Sequence, residues 1–302
     1  MAHRRAGVAV AMALVFMGFV LHRSSTTGDA PAVEPPPEVH SATPTKLSVT
    51  ARKTATPAKD IGADFSAARA ELERQAAAGD RDAAARLGKV LLTCDGYIEH
   101  TPEQVEAVIV NLLAQASPST LPAMGKTLDA GSLALALQTQ FEALREVCIG
   151  ANGLQLDAAQ RAQALAWLRQ AADAGSTAAM LTYAEHAFDE YSTAREVLKS
   201  VDEVRQRKQI ARAYLDRAAA AGDTDVFALR ATLHETGGVL AKDAVAAYAN
   251  YYAFVHSQAA TPGAESRLRV FASALDEEHR RQAEQLAQQW LRHCCVETGL
   301  GP

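Results

Sequence analysis

The chain has 302 residues, 48% of them hydrophobic, which is enough apolar content to bury a sizeable core. Its net charge is −5 and its aromatic share only 6%, a composition that suits an alanine-rich helical array better than a typical enzyme. Acidic and basic residues are interspersed along the sequence, so there is no cationic face for nucleic acid, and that class of partner is excluded.

Residues 1–23 read as a targeting segment. Arg4 and Arg5 precede an apolar run, Ala6 to Leu21, that is followed by His22 and Arg23. Such a run serves either as a signal peptide or as an N-terminal anchor in the inner membrane, and the cationic flank sends the rest of the chain outward. Residues 24–61 are rich in Pro, Ala and Thr, including the run Glu34 to Glu38, and cannot pack a core. They read as a disordered linker.

The folded domain is expected over 62–295, with a flexible tail at 296–302. Phe65, Ala68, Leu72 and Ala76 recur at helical spacing, as do Ala83, Leu87 and Leu91 in a following helix. Cys94 closes that helix and Asp95-Gly96 marks a turn. Thr101, Pro102 and Gln104 have the residue types of a capped helix start, ahead of the stripe Val105, Val108, Ile109, Leu112 and Leu113. A later stripe, Leu133, Leu137, Phe141 and Leu144, runs to Cys148, and Gly150 and Gly153 end it. Asp157 and Gln160 then open another capped helix. Phe188 to Ile210 is a charged insertion that reads as an exposed helical extension. Beyond Gly237-Gly238, Val245, Tyr248, Tyr252 and Val255 line one helix, and Leu286, Trp290 and Leu291 belong to a last one covering the end of the array.

Three stretches superimpose on their glycines. Leu72, Leu168 and Leu215 each stand seven residues before Gly79, Gly175 and Gly222, and an alanine stands three before each. Gly175 suits the left-handed end of one helix, and Ser176 can cap the next. The first two glycines lie 96 residues apart and the last two 47, so the spacing predicts a diverged helix pair between the first two copies.

The matched residues, Leu72 to Gly88, Leu168 to Ala184 and Leu215 to Ala231, resemble the Sel-1-like repeat, a relative of the tetratricopeptide repeat. Ala247 to Ala260 and Leu275 to Leu291 are similar to the closing helices of bacterial members. The resemblance implies an all-α fold, an α-solenoid of about five stacked antiparallel helix pairs, and protein binding on its concave face. On that face Trp167 and Tyr214, each eight residues before its glycine, are equivalent sites and the first candidates for partner contact. Tyr251 is a further surface candidate, because it falls off the stripe of Tyr248 and Tyr252.

Cys94 and Cys148 each end a helix beside a glycine turn, and an exported chain meets oxidising conditions. The expectation is a disulfide, with two buried thiols as the alternative. Cys294 and Cys295 are adjacent and read as intermolecular or free thiols. His279 and His293 match no metal-site spacing. Glu185-His186 and His234-Glu235 lack the second histidine of a zinc hydrolase and read as surface pairs. With no phosphate loop or nucleophile elbow present, no catalytic residue, metal or cofactor is assigned. The expected function is a non-catalytic protein-binding adaptor or assembly scaffold in the periplasm. The alternatives are an enzyme or enzyme modulator acting on the cell wall, and a disulfide-linked structural envelope protein.

Overall fold

A computed structural model describes residues 64–115, 130–191, 193–257 and 264–294, all of their regular structure helical. The expected targeting segment, linker and tail, and the thiols of Cys294 and Cys295, lie outside the described residues. No described helix is long and apolar enough to cross a membrane.

The first pair is α1 (Phe65–Ala77) and α2 (Arg81–Thr93), joined by the turn at Gly79. The second is α5 (Ala158–Asp173) and α6 (Thr177–His186), and the third α8 (Val201–Ala220) and α9 (Asp225–Thr236). Each turn is closed in the same way. The glycine stands at φ of +93°, +92° or +80°, and the amide after it donates to a carbonyl five residues back: Asp80 to Gln75, Ser176 to Ala171, Asp223 to Ala218. Only glycine enters this left-handed region without a side-chain clash, so the repeated glycine fixes a repeated hairpin.

The pairs are locked together by a second repeated bond. Gln170 Nε2 on α5 donates to the Ala76 carbonyl of α1 at 2.8 Å, and Arg217 Nη2 on α8 donates to the Ala172 carbonyl of α5 at 3.1 Å. Both donors stand five residues before their own glycine, and both acceptors three residues before the preceding one. Each of these carbonyls already accepts from the amide of its own glycine and takes a second donor from the next pair in the stack. Helices α1, α5 and α8 are consecutive first helices of one solenoid.

That register corrects the spacing argument. A diverged pair does exist, as α3 (Pro102–Gln115) and α4 (Ala130–Val147), but it is not a layer of the stack. Helix α2 packs directly on α5, its most extensive partner, and Gly88 faces Leu168 and the Ala164 carbonyl. The pair α3–α4 is an excursion from this seam. Its two legs are sewn together at the root: Cys94 is bonded to Cys148, Gly96 N donates to Leu154 O, Gly153 N donates to Tyr97 O, and Asp95 Oδ1 accepts from Leu156 N. Asp95 Oδ2 also holds Arg161 of α5 at 2.7 Å.

The other end is closed by α10 (Ala244–Ser257), α11 (Ala264–Ser273) and α12 (Glu277–Cys294). Buried Ala283 and Ala287 on α12 let it approach α10, Tyr248 donates to Glu284 across the seam, and Trp290 lies parallel to Phe227 with ring centroids 6.3 Å apart. Three pairs and this cap make the stack, one layer fewer than expected because the excursion stands aside.

Candidate interaction surfaces

Two of the three aromatic candidates prove to be core residues. Tyr214 is 3% exposed: its ring meets Tyr183 edge-on at 5.3 Å, and its hydroxyl donates to Asp173 Oδ1 at 2.7 Å. Burial and that carboxylate both push its phenol pKa up. Tyr251 is 6% exposed, packed between Phe254 and Phe271 with the Arg267 guanidinium over its ring. The surface assignment of Tyr251 fails because α10 is enclosed on three sides, by α9, α11 and α12, so a residue off one stripe faces another neighbour. Trp167 is half-buried against the core and keeps part of its surface.

The exposed apolar side chains lie elsewhere. Among the described residues, the large ones are Ile98, Val110, Leu135 and Ile149 in or beside the excursion, and Leu198 and Val201 in the charged insertion. None lies on the three repeat pairs outside the insertion. Val110 is 56% exposed although α3 is an apolar helix, since only Ile109 and Leu112 of its stripe are buried.

The insertion forms a short helix, α7 (Ala194–Lys199), and the first turns of α8, with an elbow at Ser200. Thr193 and Glu196 cap α7 reciprocally. No residue of α7 is buried, and Leu198 is 75% exposed. Arg207 fixes the elbow from beneath. Its side chain is largely buried, pairs with Glu190 at 2.7 Å and Glu203 at 2.5 Å, donates to the Ala187 carbonyl, and lies over the Tyr191 ring. Burial is the largest influence on Tyr191, opposed by the Arg207 charge and aided by Glu203, and its pKa is pushed up to about 12. The insertion is thus a supported element rather than a simple exposed extension.

His186 is also not the surface residue expected. Its side chain is 13% exposed, with Nδ1 2.6 Å from Asp189 Oδ2 and Nε2 3.4 Å from Thr93 Oγ1. Burial disfavours the imidazolium, but the bond to Asp189 and the charges of Asp189 and Glu185 outweigh it, and the pKa stands above its ordinary value. A raised folded-state value means that this pair stabilises fully below the ordinary histidine range, and that the contribution is lost as pH rises through the folded value. Melting temperature should therefore fall as pH rises above the ordinary histidine value of about 6.5, and the His186→Gln protein should lack that component. Identical pH slopes for the two proteins would contradict the assignment. Sequence spacing could not show this, because Asp189 is an ordinary turn residue until α6 ends at His186.

Among the described residues no group of three or more His, Cys, Asp or Glu side chains is placed to hold a metal ion. No protein-family model matches the chain, and neither does any curated protein. A structural comparison finds likeness to c5321, described as a protective antigen present in uropathogenic Escherichia coli strains and displaying an SLR fold. It is 16% identical with a TM-score of 0.27, covering 76% of this chain and 57% of that one, so the chain spans little more than half of that structure's length. By its own repeat register the chain is an α-solenoid of stacked antiparallel helix pairs.

Proposed function

We propose that the protein is a non-catalytic binding scaffold of the bacterial cell envelope, exported and held there by its N-terminal segment, which recognises protein partners through its two insertions. One observation carries this reading: among the described residues, the six large exposed apolar side chains all sit in or beside the excursion and the elbow. Both elements are held from their roots, by Cys94–Cys148 and by Arg207, so their outer faces are presented at little ordering cost. A repeat stack needs neither element to close its core. Apolar groups kept on supported projections, amid charges such as Arg195, Lys199 and Asp202, fit a partner that covers them.

The test is photocrosslinking in intact envelopes, with the crosslinker at Lys199 or Glu106. Partners captured by the wild type should be lost from Leu198→Ser plus Val201→Ser, or from Val110→Ser plus Leu135→Ser, at unchanged melting temperature. Capture that survives both double variants would sink the reading.

A further inference from the structure

A cleft of about 270 Å³ opens between α8, α9, α10 and α12, below the roughly 300 Å³ at which sites for drug-sized ligands begin. Asn250 of α10 lines it and is only 2% exposed. Its Nδ2 donates to the Ala246 carbonyl at 2.8 Å, which fixes the amide and makes the other atom the oxygen. That oxygen, Oδ1, is buried and has no partner among the described residues. A buried acceptor left unpaired is uncommon in folded proteins and points to something that supplies a donor.

The rest of the lining defines what else the occupant carries. Arg230 is already held by Asp216 at 2.6 Å, so that carboxylate is committed. Arg212 uses Nε on the Val239 carbonyl at 2.9 Å and has no carboxylate partner among the described residues, which leaves one uncompensated cation at the rim. His234 Nδ1 donates to the Ala241 carbonyl at 2.8 Å. Leu215, Leu240 and Trp290 supply apolar wall.

From this set we infer that the cleft binds a small carboxylate with an adjacent N–H donor and an apolar side chain. The carboxylate faces Arg212, the N–H fills Asn250 Oδ1, and the side chain lies against Leu215 and Trp290. This chemistry is shared by a free N-acylated amino acid and by the carboxy-terminal residue of a polypeptide. The site contains none of the exposed groups of the two insertions, so it stands whether or not the scaffold reading does.

The experiment is calorimetric titration of the full chain with N-acetyl-L-leucine, N-acetyl-L-leucinamide, 4-methylpentanoate and acetyl-Ala-Ala-Leu. N-acetyl-L-leucine should bind, and the probes lacking the carboxylate or the N–H should be weaker by about tenfold or more. Asn250→Leu and Arg212→Gln should each weaken it by a similar factor. Asn250→Leu should melt no lower than the wild type, because it removes an unpaired acceptor from a buried site. Tighter binding of the tripeptide assigns the site to a chain end, and equal binding to a small acid. Failure of N-acetyl-L-leucine to bind, equal binding of the three single-residue probes, or unchanged affinity in Arg212→Gln would each overturn the inference. The last serves even if Asn250→Leu fails to fold.

Discussion

Replacing Cys94 and Cys148 together by alanine is expected to lower unfolding free energy by about 4 kcal/mol, the value for closing a loop of this separation. The two residues are 54 apart in sequence and nearly all of that span is the excursion. Without the bond, the unfolded chain recovers the freedom of the whole α3–α4 segment, which buries little to offset it. Both sulfurs sit in the core, so alanine leaves no buried polar group, but it does leave a small cavity that adds to the loss. Urea unfolding of the oxidised wild type against the double variant measures it. Coincident curves would mean that the root is held by Asp95 and the backbone bonds alone. A second readout is limited proteolysis, where cleavage within the excursion should accelerate far more than cleavage in the repeat helices.

The second large effect is at Gly88. A Cβ there would lie 2.6 Å from Leu168 Cγ and 2.9 Å from the Ala164 carbonyl oxygen. Leu168 is fully buried and cannot swing away, and the carbonyl is backbone, so α2 and α5 would have to separate. Gly88→Ala should cost about 1–3 kcal/mol through overpacking, even though alanine in a helix interior is intrinsically about 1 kcal/mol better than glycine. The neighbouring exposed Lys89→Ala serves as control and should change stability by no more than about 0.5 kcal/mol. A stabilised Gly88→Ala protein would show that the α2–α5 seam is looser than these distances.

The repeat stack was legible because its signals are local. The glycines with their preceding leucine and alanine dictate a hairpin from residues within one turn of each other, and the Asp157–Gln160 capping box forms as its residue types require. Which pair follows which was not legible from spacing, since an excursion adds residues to the count without adding a layer. A clue was present: polar Gln170 and Arg217 hold equivalent positions, and each reaches the carbonyl of the preceding pair. Surface assignments failed for a related reason. Tyr214 and Tyr251 keep the same helical position wherever they face, and only the packing of other helices decides that they are buried. Asn250 carries no sequence signal, because a lone amide on an apolar stripe belongs to no motif. Its orphaned oxygen exists only once α9, α10 and α12 close around it.

The central claim is that α2 stacks directly on α5, with everything between Cys94 and Cys148 set aside from the solenoid. Nuclear Overhauser contacts from the Leu168 methyls test it most directly. The account predicts strong contacts to the Gly88 α-protons, because Leu168 fills the space beside that glycine. Leu168 methyls that instead report on α4 side chains such as Leu137 or Phe141, with no contact to Gly88, would contradict it and return the diverged pair to the stack.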